Sequence, residues 1–367
     1  MDKNRTIGLI GLGLIGGSIA HALKRKGSKY RIIGWNRAKE PLEKAFEDGV
    51  LDEMASIDFH EFGSCDIVFL CVPVFAMQEI LDRLIPNLKP ECVITDVGST
   101  KGDVTSIMIN AGVGNRFVGG HPLAGSEQSG YSVAKPNLFE NAYYVMTTNE
   151  AAIAGGKDLL EEIIRDMGAI PLEMNAGEHD RVTAAISHVP HVVASLLVNL
   201  VKKLDGSEQH MKTIAAGGFK DITRIASSSP ELWAGICLSN REAVLKTLNE
   251  MATLLKSFEN NLVERNQENL NAYFNSARSY RNSFSDMQKS IIQRDYDIIV
   301  DVEDKPGIIA VIAKALAENQ INIKNIGIIN SRENDDGALE IRFENAESVK
   351  KGLETLINLG YKAKARG

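Results

Sequence analysis

Five short stretches hold most of the residue types that could do chemistry. The first is "TIGLIGLGLIGGSIAHAL" at 6–23, where Gly11-x-Gly13-x-x-Gly16 stands between an apolar run and a helical pattern. The others are "DVGSTKG" at 96–102, "GGHPLAGSEQSG" at 119–130, "ISHVPH" at 186–191 and "GGFKDITRIASSSPELW" at 217–233. In the first, Gly11 permits a tight turn and Gly13 the close approach of a pyrophosphate. Gly16 lets a helix pack on the sheet, with phosphates held at the helix start around Leu14 and Ile15. The same pattern can form a turn that binds nothing. Its place at the head of a β-α-β unit favours a dinucleotide.

An acidic residue is expected some twenty positions on, to hold the adenosine ribose. Here Asn36 and Arg37 stand in "IIGWNRAKE". Asn can hydrogen-bond a ribose, and Arg can receive the extra phosphate of NADP or simply face solvent. NAD is the expected cofactor, and NADP stays open. Val72 and Pro73, at the end of "DIVFLCVP", are the remaining expected cofactor contacts.

Ser99 and Thr100 follow one strand-like run and His121 follows the next, at the sheet edge where open α/β sheets bind ligands. The other two stretches lie in helical sequence and would close the cleft from the opposite side. Taken singly, each residue has a structural reading. Arg224 could be a helix-surface charge and Trp233 a core anchor. His188-x-x-His191 has a spacing that a metal pair could use, but H-E-x-x-H and a third ligand are missing, so no metal is expected.

Several kinds of element must position these residues. Up to about residue 173, apolar Val/Ile/Leu runs alternate with helical patterns, which predicts an α/β domain with a mostly parallel, doubly wound sheet over 1–173. Residues 174–293 carry long helical patterns and predict an all-α domain, with Pro190 kinking or breaking its first helix. Residues 296–367 read β-α-β-β-α-β, an α+β ferredoxin-like unit.

Bulk composition narrows the function class. The 367 residues carry a net charge of −7 and are 44% hydrophobic. That argues against a nucleic-acid or anionic-membrane footprint. Cys65, Cys71, Cys92 and Cys237 form no C-x-x-C pair and no zinc spacing, as in a reducing compartment. No signal-peptide pattern opens the chain, and the longest uninterrupted apolar run, 67–77, is too short to span a bilayer. A soluble, cytoplasmic protein is expected.

In combination and in this order, the five stretches resemble the prephenate dehydrogenase family, over residues 5 to about 290. "DIIVDVEDKPGIIAVIAKALAENQINIKNIGI" resembles an ACT domain, a small-molecule sensor. The resemblance implies oxidative decarboxylation of prephenate to 4-hydroxyphenylpyruvate, with hydride passing to a nicotinamide dinucleotide. It implies His121 as the catalytic histidine and Ser99 as its partner near the substrate hydroxyl. Arg224 would grip a carboxylate, with His191, Trp233, His188 and Thr100 completing the wall. Glu127 and Asp221 would pair with Arg224 at the entrance, or form ordinary surface ion pairs. In the tail, Asp304, Gly307 and Ile308 would lie near an effector, with tyrosine as feedback inhibitor, or would serve only a structural role. A homodimer is expected from the helical segment. Arogenate dehydrogenase, and a non-catalytic dinucleotide-binding amino-acid sensor, remain as alternatives.

Overall fold

The computed structural model describes residues 5–25, 30–126, 128–148, 155–291, 296–303, 305–330, 336–343 and 345–365. Glu127 and Asp304 therefore lie outside the described residues. The chain divides into two compact units, Met1–Leu255 and Lys256–Gly367.

The first unit is built on eight strands: β1 (Arg5–Ile10), β2 (Tyr30–Trp35), β3 (Glu53–Met54), β4 (Ile67–Leu70), β5 (Val93–Asp96), β6 (Phe117–Pro122), β7 (Tyr143–Thr147) and β8 (Ile170–Glu173). They lie in the order β3-β2-β1-β4-β5-β6-β7-β8. Neighbours are parallel except for β6 and β7, which pair antiparallel. The order reverses between β1 and β4, the switch point where such sheets open a crevice for ligands. The two-residue β3 was not anticipated, being too short to show any periodicity.

Alternation along the strands explains why their sequences read as unbroken apolar runs. Ile7, Leu9, Ile67 and Phe69 face one layer, with Ile19 and Leu23 of α1 (Leu14–Arg25) and Leu160, Ile163 and Ile164 of a later helix, Gly156–Asp166. Ile10, Ile33, Val68, Leu70 and Ile94 face the other. There they meet Leu81 and Leu84 of the helix Met77–Leu84 and Val104 and Met108 of the helix Gly102–Asn110. Numbered in chain order with Lys39–Glu47 as α2, these are α3 (Met77–Leu84), α4 (Gly102–Asn110) and α5 (Gly156–Asp166). A strand buried on both faces reads as a nearly continuous apolar run.

The helical part follows as α6 (Ala176–Thr183), a π-helical turn (Ala184–His188), α7 (Val189–Leu204), α8 (His210–Ile214), α9 (Gly217–Thr223), a 3-10 turn (Arg224–Ser227), α10 (Pro230–Ser239) and α11 (Arg241–Val263). The Asn175 side chain caps α6 by accepting from the Glu178 N–H at 2.8 Å. Pro190 does not break the helix. It sits in the first turn of α7, directly after the π turn. Having no N–H, it cannot bond the carbonyl four residues back, and the wider π turn takes up the fault.

The continuous run Ala176–Leu204 is long and apolar enough, by length and composition, to cross a membrane. That property is invisible in uninterrupted apolar runs because His, Ser and Pro punctuate the sequence. Only Ala184, Val189 and Val244 form a fully buried cluster here.

In the second unit α12 (Gln267–Ile291) contributes Tyr273 and Phe274 to a ring cluster with Phe258. The ferredoxin-like module comprises β9 (Asp297–Glu303), α13 (Ile308–Glu318), β10 (Asn325–Asn330), β11 (Asp336–Arg342), α14 (Ala346–Asn358) and β12 (Lys362–Ala365). Its sheet order is β10-β11-β9-β12, all antiparallel. Ile298, Val300, Leu339 and Ile341 pack beneath Ile312, Leu316 and Leu356. Gly307 caps α13 at φ +90°, a conformation that favours glycine.

Candidate active site

The glycine loop has the shape of a phosphate cradle. A Cβ at Gly11, whose φ is +101°, would lie 2.3 Å from the Cys71 carbonyl oxygen, and one at Gly16 would lie 2.0 Å from the Gly11 carbonyl oxygen. A Cβ at Gly13 would meet no atom within 4 Å. Gly11 and Gly16 are thus required by close packing, and Gly13 by the open space in front of it. Leu14 and Ile15 begin α1, whose first-turn amides have no acceptor within the helix. These features fit a dinucleotide.

Asn36 follows the end of β2 beside the glycine loop. Its Oδ1 accepts the Leu12 N–H at 2.9 Å, and its Nδ2 donates to the Ala38 carbonyl at 2.9 Å. The carboxamide braces the glycine loop from behind. Arg37 is exposed; Val72 is half-buried and Pro73 exposed at the end of β4.

His121 stands at the C-terminal end of β6, half-buried. Its Nδ1 is 2.8 Å from His179 Nε2, and His179 Nδ1 is 2.8 Å from Asp180 Oδ1. The Asp180 carboxylate also accepts the Lys101 and Gly102 amides, both at 2.8 Å. Burial pushes Asp180 up, but His179 and those two amides more than offset it, so its pKa lies below the usual carboxylate value. An ionised Asp180 fixes the protons of the whole chain. His179 donates from Nδ1, accepts the His121 Nδ1–H at Nε2, and leaves His121 Nε2 with a bare lone pair.

Behind His121 lies a buried ion pair. Lys101 Nζ donates to Asp96 and, at 2.7 Å, to the Gly120 carbonyl. Asp96 Oδ1 accepts the Gly120 N–H at 3.0 Å, and Oδ2 the Gly98 N–H at 2.8 Å. Both backbone groups of the residue before His121 are therefore held. Burial first, then His179, Lys101 and His188, hold His121 well below the ordinary histidine pKa. It is neutral at pH 7.

The helical elements supply the second wall. Asn240 donates to the Asp180 carbonyl at 2.8 Å and lies 3.1 Å from His188 Nδ1, which makes Nδ1 the acceptor and leaves the proton on Nε2. That buried Nε2 lies beside the Ser99 backbone, without a hydrogen bond of full geometry. Burial lowers the His188 pKa to about 4. His191 stacks on Trp233, with ring centroids 3.4 Å apart, and donates from Nδ1 to the Ser187 carbonyl at 3.1 Å. His191, Trp233, Ser195, Ile225, Ala226 and Cys237 line a cavity of about 360 Å3.

The structure brings His121, His188, His191 and Trp233 onto one connected set of contacts, with the Ser99 backbone beside His188. Thr100 is buried, its hydroxyl 3.0 Å from that of Ser239, so it joins the β5–α4 loop to α10. Arg224 opens the 3-10 turn that carries Ile225 and Ala226 to the cavity, and both Arg224 and Asp221 are exposed. Asp96, Lys101, His179, Asp180 and Asn240 were not singled out from sequence. Two of them stood inside the quoted "DVGSTKG"; His179 and Asp180 lie within α6 and Asn240 at the end of α10, in no recognisable motif.

Comparison with known proteins agrees with this construction. The family model for the nucleotide-binding domain of prephenate dehydrogenase matches residues 19–170, that for its dimerization domain residues 175–276, and that for the ACT domain residues 296–360. A prephenate dehydrogenase of Bacillus subtilis is 39% identical over 96% of this chain and 95% of its own length. The crystal structure of prephenate dehydrogenase from A. aeolicus, in complex with hydroxyphenyl propionate and NAD+, superimposes with a TM-score of 0.73 at 32% identity, covering 77% of this chain and 99% of that one. Synechocystis arogenate dehydrogenase gives 0.68 at 30%, covering 76% and 99%. The dimerization-domain match supports a homodimer. By these matches over all three parts, the chain belongs to the prephenate dehydrogenase family of NAD-dependent oxidoreductases.

Proposed function

We propose that His121 is the general base in the oxidative decarboxylation of prephenate, and that the His121–His179–Asp180 chain sets its proton arrangement. The observation that carries this is the bare Nε2 of a neutral imidazole at the end of β6. When bound, NAD accepts the hydride that leaves the carbon bearing the substrate hydroxyl. His121 takes the hydroxyl proton as that hydride departs. The ring carboxylate then leaves as CO2, its bonding electrons complete the aromatic ring, and the proton returns to the phenolate oxygen. Lys101 and Asp96 hold Gly120, and with it His121, against the loop carrying Ser99.

The Nε2–H of His188, beside the Ser99 backbone, is suited to an acceptor oxygen of the bound ligand. His191 has its Nδ1 proton engaged, so in its neutral form it offers a lone pair, and the Arg224 guanidinium is the group suited to a carboxylate. Asp221 stands one helical turn before Arg224, where it would orient that guanidinium, and Glu127 follows His121 six positions on in the sequence. Dividing the chain as 1–173, 174–293 and 296–367 assigns cofactor, substrate and effector to separate parts. Tyrosine as an inhibitor acting through the last part rests on the ACT match, with Asp304, Gly307 and Ile308 at its first turn.

One paired experiment tests the site. His121→Asn should lower kcat about 10³-fold, within the usual worth of a general base, while NAD binding measured by fluorescence titration stays within twofold. Arg224→Ala should raise KM for prephenate far more than KM for NAD. Turnover kept within a fewfold in His121→Asn would remove His121 from the chemistry. Equal effects of Arg224→Ala on both substrates would mean a folding defect. Running arogenate beside prephenate separates the two substrates.

A further inference from the structure

The end of α10 touches both histidine systems of the site. Asn240 is buried; its Nδ2 donates to the Asp180 carbonyl at 2.8 Å and lies 3.1 Å from His188 Nδ1. A carbonyl can only accept, so the nitrogen of the carboxamide is the atom that faces both. His188 Nδ1 is thereby an acceptor, and a proton placed on it would meet an N–H. Ser239, one residue earlier, donates to the Ile236 carbonyl at 3.2 Å, so its oxygen accepts the Thr100 hydroxyl at 3.0 Å. Asparagine at a helix end often serves a left-handed turn. Here φ is −113°, so the backbone gives no reason for this side chain. The Asp180 carbonyl also receives the Ala184 N–H, so α6 does not need Asn240 to satisfy it. What the carboxamide adds is control of His188.

We propose that Asn240 is a positioning residue for the reaction, fixing His188 with its proton on Nε2 as a donor beside Ser99. This rests on the reading of His188 as a donor to the bound ligand. The titratable groups facing His188 are Asp180 and His179 on α6, His191 on α7 and His121 at the end of β6. Asp180 draws a proton toward His188, and the Asn240 N–H denies it a place on Nδ1. A charged His188 would make His121 a weaker base, by repelling the proton that it must take. One carboxamide thus keeps the two imidazoles complementary, with a bare nitrogen on His121 and an N–H on His188.

Long-range proton–nitrogen NMR of the full-length protein with isotope-labelled histidine tests this, beside steady-state kinetics. The His188 ring is identified by its loss in His188→Gln. In the parent it should show the Nε2–H tautomer and stay neutral down to about pH 5, since burial puts its pKa at about 4. Asn240→Asp should move the proton to Nδ1 or charge the ring, with a titration above about pH 6, as beside a carboxylate. Its kcat/KM for prephenate should gain an ionisation at that same pH, which the parent lacks. Asn240→Leu keeps the bulk and removes the donor, so the single tautomer should be lost. Its KM for prephenate should rise about tenfold, with NAD affinity kept within about twofold. A parent ring protonated at Nδ1, or a ring state unchanged in both variants, would overturn the assignment. So would an altered ring with an unchanged KM, or a loss of prephenate and NAD affinity together with a lowered Tm, which marks a purely structural role. The functional reading fails separately, if the parent itself does not turn over prephenate.

Discussion

At the scale of single residues, the proton arrangement is set by one carboxylate. Asp180 receives two backbone amides and the His179 imidazole, so three donors converge on it and its negative charge persists when buried. Asparagine there would keep the shape but could turn its NH2 toward His179 Nδ1. His179 would then change tautomer, and the proton of His121 would move to the nitrogen that must be bare. Loss of the correct tautomer in an analogous arrangement costs about 10⁴-fold in turnover. Asp180→Asn should therefore lower kcat between about 10² and 10⁴-fold while NAD binding is retained; an unchanged kcat would mean that the tautomer is fixed elsewhere. In the unaltered enzyme His121 holds its pKa below 6.5, so kcat/KM should stay level through neutral pH and fall only on the acid side. His121 was legible because it sits in a motif at a strand end. His179 and Asp180 were not, because they lie 58 and 59 residues beyond it in an unremarkable helix start, and only the folded chain brings them together.

At the scale of elements, the strands were legible because a sheet buried on both faces leaves mostly apolar residues in β1, β4 and β5. The π turn was not. Sequence periodicity marks Pro190 as a fault but says nothing of how a helix absorbs it. The answer has functional weight, since the turn ends on His188 and precedes His191 by three residues. An extra residue per turn shifts everything beyond it by about a quarter of a revolution relative to a regular helix. Pro190→Ala restores an N–H four residues after Ile186 and removes the reason for the wide turn. The expected result is a KM for prephenate raised severalfold with Tm equal to or above that of the parent. A lowered Tm with unchanged KM would show that the proline serves stability alone.

At the scale of the whole molecule, α7 leaves a row of apolar residues exposed. Leu196, Leu200 and Leu204 recur every four residues along one face and are all exposed. The sequence showed a helix long enough for an interface, and the dimerization-domain match supplies its partner. The C-terminal module raises a different matter, because its fold was legible strand by strand while its task was not. Its first turn carries Gly307 at φ +90° above the buried Ile308, a fixed geometry at the start of α13. Tyrosine could act there, or it could compete in the catalytic cleft, because its 4-hydroxyphenyl ring resembles the product. Ending the chain before residue 296 separates the two. If the module is the sensor, kcat is retained, the inhibition curve for tyrosine moves at least tenfold to higher concentration, and Gly307→Val in the full chain moves it the same way. If the cleft is the site, the curve stays where it was, inhibition is competitive with prephenate, and Arg224→Ala shifts it instead.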